Sequence, residues 1–205
     1  MKPPRPSSKS LQNQSQNNQL RIIGGSWRGR KLHFPNVEGL RPTGDRIRET
    51  LFNWLAPELQ GARCLDLFAG SGVLGLEALS RGAEASTLVE RDAKATSQLR
   101  DNLDILKANN GKVIQDDVLK FLHQPNAHEP YHIVFIDPPF ALNVWQAVID
   151  ALEKGDWLAD DATIYIEAGR EAIFHVPANW QLHRDKQSGQ VSYRLFYREK
   201  EQNTN

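Results

Sequence analysis

Sulfur is nearly absent from this chain: Cys64 is its single cysteine and Met1 its single methionine among 205 residues. One thiol closes no internal disulfide, which excludes a stapled secreted scaffold and suits a reducing compartment; the expected location is cytoplasmic. Cys64 sits in the apolar run Cys64-Leu65-Asp66-Leu67 and reads as a buried strand residue. No run reaches the ~18 apolar residues of a membrane span, so no membrane partner is expected. The first 19 residues lack the apolar segment of a secretory signal. Their Pro, Ser, Asn and Gln content reads as a disordered polar tail. No cluster with metal-ligand spacing is found, and the six histidines are scattered, so no metal is expected. Net charge is also zero.

That neutrality conceals an asymmetry. The first fifty residues carry ten Lys/Arg against three acids. Basic segments of this kind meet phosphates. From Leu20 onward the charges interleave with Trp27, His33 and Phe34, which favours nucleic acid over a merely solvated surface. The candidate RNA contacts are Arg21, Arg28, Arg30, Lys31, Arg41, Arg46 and Arg48.

The length fits one domain with a small extension. Residues 20–34 predict a hairpin around Gly24-Gly25. Thr43 reads as the N-cap of a helix with Asp45 in its first turn. Ile47, Leu51, Trp54 and Leu55 give that helix an inward stripe, with Arg46 and Arg48 off it. Strand-like runs at 63–67, 85–90, 112–115, 131–136 and 162–167 then alternate with helix-like runs at 72–81, 92–107, 117–122 and 143–153. This rhythm predicts a parallel α/β sheet covered on both faces. Runs at 181–186 and 191–197, joined by Ser188-Gly189, predict a closing antiparallel hairpin. The expected division is a tail over 1–19, an RNA-facing hairpin and helix over 20–58, a catalytic domain over 59–200, and a tail over 201–205.

Two motifs carry chemistry. Asp137-Pro138-Pro139-Phe140 follows the apolar run Ile133–Ile136. The prolines leave this turn few conformations. A carboxylate and a backbone carbonyl there can accept from the amine of a planar ring, with the aromatic stacked on its face. The second motif is Gly70-x-Gly72-x-x-Gly75, between a strand and a helix. Alone it fits a dinucleotide site equally well. Asp66 shifts the balance, because a carboxylate beside the loop opposes a pyrophosphate and suits a cationic ligand. Glu90, at the next strand's end, can take two ribose hydroxyls. Asp117 with the Val118 N–H can read an adenine. Each of these acids could instead cap the following helix. Three in order, with the tetrapeptide, favour a ligand at the sheet's C-terminal edge. Gly72 is expected to keep space open against that ligand.

These residues resemble a known family. The likeness lies in Arg21-Ile22-Ile23-Gly24-Gly25, Trp27-Arg28-Gly29-Arg30-Lys31-Leu32, Leu40-Arg41-Pro42-Thr43, Asp45-Arg46, the stretch Arg48-Glu49-Thr50-Leu51-Phe52-Asn53-Trp54-Leu55, the glycine loop and the tetrapeptide. Together they resemble the RsmD family of bacterial 16S rRNA guanine-N2 methyltransferases, a branch of the class I S-adenosylmethionine-dependent enzymes. The resemblance spans about Leu20 to Arg198. It implies a Rossmann-like, mostly parallel seven-stranded sheet with a C-terminal antiparallel hairpin and a small N-terminal hairpin extension. It implies methyl transfer from S-adenosylmethionine to the exocyclic N2 of one guanine in 16S rRNA, within a small-subunit particle, by a monomer. The implied catalytic residues are Asp137, Pro138, Pro139 and Phe140. The implied cofactor site is Asp66, Phe68, Ala69, Gly70, Gly72, Glu90, Arg91, Asp117 and Val118. A methyltransferase for DNA adenine, DNA cytosine or a protein glutamine amide is the nearest alternative, disfavoured because those families usually carry Asn where Asp137 stands. A non-catalytic RNA-binding assembly factor and an NAD-linked oxidoreductase fit the acids and the turn less well.

Overall fold

The computed structural model describes residues 18–37, 43–126 and 129–199. The expected tails, apart from Asn18 and Gln19, lie outside the described residues, as does Arg41. The chain opens with an antiparallel pair, β1 (Asn18–Arg21) and β2 (Lys31–Phe34), in which Leu20 faces Leu32. β1 starts two residues inside the stretch read as tail, because Asn18 and Gln19 pair with Phe34 and His33. Helix α1 (Asp45–Leu59) follows, and then strands and helices alternate: β3 (Arg63–Asp66), α2 (Val73–Ser80), β4 (Ala85–Glu90), α3 (Ala93–Leu106), β5 (Gly111–Gln115), α4 (Val118–Leu122), β6 (Tyr131–Ile136), α5 (Trp145–Lys154) and β7 (Leu158–Gly169). The hairpin β8 (Trp180–Ser188) and β9 (Val191–Arg198) closes the fold.

The seven later strands form one sheet in the order β5-β4-β3-β6-β7-β9-β8. β3 to β7 pair in parallel, and β9 runs antiparallel to both β7 and β8. The parallel strands and the closing hairpin follow the residue rhythm, and the whole is the Rossmann-like class I arrangement that the family resemblance implies. β6 shows why the sheet must be covered twice. Ile133 and Phe135 join one core with α1, α2 and α3, while Val134 and Ile136 join a second core with α4 and α5. β7 is longer than its apolar run, since Asp160 and Asp161 interrupt the hydrophobic pattern without ending the strand. Helix α3 starts where Asp92 accepts from the Lys94 and Ala95 N–H groups, both at 2.9 Å. Its Leu99, Leu103 and Leu106 then face inward at helical spacing.

An ionic cluster fastens the N-terminal hairpin and α1 to α2. Glu77 is fully buried, in a helix whose eight residues are all buried. Its carboxylate accepts from the Ile23 N–H at 3.0 Å, from Arg48 at 3.4 Å and from Arg81 at 2.8 Å. Arg48 also donates to Asp45 and to the Arg21 carbonyl. Ser80 Oγ donates to the Gly24 carbonyl and accepts from the Trp27 N–H. Gly25 is required here: its φ is +74°, and a Cβ would overlap the Ser80 carbonyl. Arg48 is 1% exposed. The expectation that it contacts RNA is therefore corrected: its guanidinium is a buried partner of Glu77 and Asp45, out of reach of phosphate.

Thr43 is corrected as well. The residue before α1 is Gly44, which makes no side-chain cap. The Thr43 hydroxyl is instead drawn across the molecule to Asp137.

Candidate active site

The strand order reverses between β3 and β6. The chain leaves β3 toward β4 and β5, and leaves β6 toward β7. In open α/β sheets of this kind, ligands bind beyond the strands' C-terminal ends at such a reversal. Asp66 ends β3, and Asp137 follows the last residue of β6. Alternation along the strands settles their side. Cys64 and Phe135 belong to the core under α1–α3, so Asp66 and Asp137, two residues on in each strand, share that face. Tyr165 places Glu167 of β7 on the same face by the same argument.

The charges of Glu167 and Asp66 both act on Asp137. Burial pushes Asp137 well above the usual carboxylate range, the charges of Glu167 and Asp66 add to this, and the Thr43 hydroxyl opposes it by donating to Oδ2 at 3.1 Å. Asp66 is pushed up to about 7, chiefly by burial, although the Gly75 and Phe68 N–H groups stabilise its charge. Glu167 is raised by burial and held back by the Tyr165 hydroxyl, which donates to Oε2 at 2.8 Å. Two buried acids, Asp66 and Glu167, and the half-buried Asp137, all reluctant to ionise, make a place where a cation is stabilised. That observation fits a positively charged ligand and opposes a pyrophosphate.

The turn after β6 holds its shape through its own bonds. Pro138 is buried and Pro139 exposed. Leu142 donates to the Pro139 carbonyl at 2.9 Å, so the Pro138 carbonyl is the one that can serve a ligand. Phe140 is 40% exposed, with its ring 5.9 Å from the buried Trp145 and its edge over Gly169. Trp145 is fixed by donating to the Glu167 carbonyl at 2.9 Å. The ring is thus presented from a rigid base.

In the glycine loop, Asp66 Oδ2 accepts from the Gly75 N–H at 3.0 Å, tying the strand's end to α2. Gly70 and Gly72 have φ of +52° and +78°. Gly72 corrects an expectation. A Cβ there would overlap Leu99 and crowd Leu76 and Leu88, so the position protects helix–sheet packing and backbone conformation rather than ligand space. In the turn after β3, Phe68 is half-buried and Ala69 buried, with the Ala69 N–H donating to the Val89 carbonyl at 3.0 Å. Glu90 accepts from Gly70 N–H at 2.9 Å and from Asp92 N–H at 2.8 Å. Its carboxylate is thereby oriented, with lone pairs remaining. Arg91 is exposed beside it. Asp117 caps α4 through Oδ1, accepting from Leu119 and Lys120, while Val118 is buried behind it.

On the N-terminal hairpin and α1, Arg21, Arg28, Arg30, Lys31 and Arg46 are exposed. Arg21 lies 3.9 Å from Asp45, and Arg30 donates to the Ile105 carbonyl at 3.2 Å. Thr43 and Glu167 are the site residues that sequence reasoning missed. Glu167 had a signal, a lone carboxylate inside the apolar strand Ile164–Ala168. Thr43 lay within the family-like stretch Leu40–Thr43, but nothing local pointed to its partner, which is 94 residues away.

Three comparisons place this geometry. The family model described as "Conserved hypothetical protein 95" matches residues 20–197. The Escherichia coli K12 protein named "Ribosomal RNA small subunit methyltransferase D" is 55% identical over 188 residues, covering 91% of this chain and 94% of its own length. The solved structure of the Escherichia coli protein yhhF superposes with a TM-score of 0.82 at 55% identity, covering 90% of this chain and all of that one. An RNA methyltransferase from Salinibacter ruber, solved with S-adenosyl-L-homocysteine, shares the fold at 14% identity, with a TM-score of 0.60, over 80% of this chain and 98% of its own.

Proposed function

We infer the reaction from one premise: this chain belongs to the RsmD family of class I methyltransferases. It transfers a methyl group from S-adenosylmethionine to the exocyclic N2 of a guanine in 16S rRNA, presented as free RNA or within a small-subunit particle. The observation that carries this reading is the juxtaposition of Asp137-Pro138-Pro139-Phe140 with Asp66 and the glycine loop at the reversal point of the sheet.

The donor supplies an electrophilic methyl on a sulfonium. Its adenosine would lie along Glu90, Asp117 and the Val118 N–H, and its charged end beside Asp66. Phe68, Ala69, Gly70 and Arg91 complete that wall. The fit rests on the acid face described above, which favours a cation.

The acceptor's difficulty is electronic, because the guanine amine shares its lone pair with the ring. Asp137 and the Pro138 carbonyl would accept its two hydrogens and draw the nitrogen toward tetrahedral geometry, so that the lone pair points at the methyl. Pro139 keeps the turn stiff, and Thr43 holds the Asp137 carboxylate in place. Such positioning supplies up to about 7–11 kcal/mol in two-substrate reactions. Phe140 would stack on the base, a contact worth about 1–3 kcal/mol. The base must leave its stack to arrive, which favours an unpaired guanine. Arg21, Arg28, Arg30, Lys31 and Arg46 would hold the flanking phosphates.

The test is incubation of the protein, S-adenosylmethionine and unmethylated 16S rRNA, followed by mass mapping of the nucleosides. The expected product is N2-methylguanosine at one position. Methyl transfer to adenine, cytosine or protein alone would replace this reading.

A further inference from the structure

Glu167 has no part in the proposed grip on the base, yet it is a carboxylate only 7% exposed at the heart of the site. Register places it. Ile136 pairs with Ile166 across parallel strands, so Asp137 and Glu167 stand level, one residue beyond that pair, on strands about 4.8 Å apart. Both face α1. The titratable groups around them are Asp66 from β3, Tyr165 from β7 and Tyr193 from β9, the last opposite Glu167 in the antiparallel ladder. Thr43 approaches from the segment before α1. The charges acting most strongly on Asp137 are Glu167 and Asp66, both acids.

We propose that Asp137 and Glu167 hold a single proton between them in the free protein and release it when a cationic ligand enters, making Glu167 a positioning residue that ties the ionisation of Asp137 to donor binding. Two level carboxylates in a desolvated site cannot both ionise without a counter-charge. The Tyr165 hydroxyl on Glu167 and the Thr43 hydroxyl on Asp137 each stabilise one carboxylate, so each can keep its charge once the proton is gone. The proton passes to solvent, and no bond other than O–H breaks. The consequence is order. A fully ionised Asp137, the form able to accept from the amine, appears only after the sulfonium is in place. The donor then precedes the base.

This inference rests on the proposed methyltransferase reading, and the test separates the two. Calorimetric titration of the full chain with S-adenosylmethionine, repeated in buffers of different ionisation enthalpy across pH 5 to 8, counts protons released on binding. The neutral thioether S-adenosylhomocysteine is the second arm. The expected result is close to one proton released with the sulfonium and clearly less with the thioether. In Glu167→Gln the pH midpoint of release should fall by about one unit or more, because the like charge is gone. Equal release with both ligands in the wild-type protein overturns the proposal whatever the variant does. A midpoint unchanged in Glu167→Gln assigns the proton to Asp66 and also overturns it. Failure of both ligands to bind overturns the donor reading itself.

Discussion

Replacing Glu77 by Ala should detach the N-terminal hairpin energetically from the rest of the fold. Glu77 is fully buried and answers three donors: the Ile23 N–H, Arg48 and Arg81. Its removal leaves Arg48, itself 1% exposed, with only Asp45 and a carbonyl, and leaves the Ile23 N–H unsatisfied. Breaking a buried ion pair by deleting one partner costs about 3–5 kcal/mol. An orphaned buried N–H costs about 1–3 kcal/mol in isolation, but the two terms share one cavity and do not add in full. A net loss of about 3–5 kcal/mol is a large share of the roughly 5–15 kcal/mol that a domain commands. At about 2–4 °C per kcal/mol for a chain of this size, the melting temperature should fall by roughly 6–20 °C. Glu77→Gln, which keeps an acceptor and loses the charge, should fall between the variant and the wild-type protein. Differential scanning calorimetry reads both. A fall of less than about 2 °C in Glu77→Ala would show that water replaces the carboxylate freely and that the cluster does not fasten the hairpin.

Three further outcomes are expected. Asp66 titrates at about 7 in the folded protein against an ordinary value of 3.8, so the folded state binds the proton more tightly and this group lowers stability as pH rises from about 4 to 7. Asp66→Asn, which keeps an acceptor for Gly75, should gain on the wild-type protein across that window and match its slope outside it; a constant difference at all pH values, measured by urea unfolding, contradicts the assignment. Gly72→Ala should cost about 1–2 kcal/mol in left-handed backbone and about 1–3 kcal/mol in overpacking against Leu99, and unfolding at an unchanged urea midpoint would refute it. Replacing Arg28, Lys31 and Arg46 together by Ala should weaken 16S rRNA binding and flatten its log–log salt dependence by about two, near 0.7 per lost phosphate contact on single strands. An unchanged slope removes these residues from the interface.

The parallel sheet was legible because strands buried on both faces are written as unbroken apolar runs, as in Ile133–Ile136, and helices as spaced ones, as in Leu99, Leu103 and Leu106. The acids at the strand ends and the Pro-Pro turn were legible because each stands next to the run that delivers it. What failed depended on distant partners. Arg48 lies off the apolar stripe of α1, which normally means solvent, but Glu77 meets it from a helix that is buried all round. The local sign was the single carboxylate in Val73–Ser80. Thr43 stands where an N-cap belongs, and only the folded chain shows its hydroxyl turned to Asp137. The pattern of a glycine loop points Gly72 at a ligand, whereas the space behind it belongs to Leu99. Glu167 hides in a run whose apolar residues already account for a buried strand, and only the register of β6 and β7 brings it level with Asp137.

The central claim is that Asp137 grips a guanine amine beside a cationic methyl donor. Single-turnover methyl transfer to unmethylated 16S rRNA by Asp137→Ala, with S-adenosylmethionine binding measured on the same preparation, tests it most directly. A lost charge-assisted hydrogen bond of up to about 3 kcal/mol corresponds to roughly a hundredfold in rate. Donor affinity should stay within about threefold, since Glu167 still supplies a negative charge. A rate fallen by that factor with the donor bound supports the account; a rate within a few-fold of the wild-type protein, yielding the same N2-methylguanosine, contradicts it.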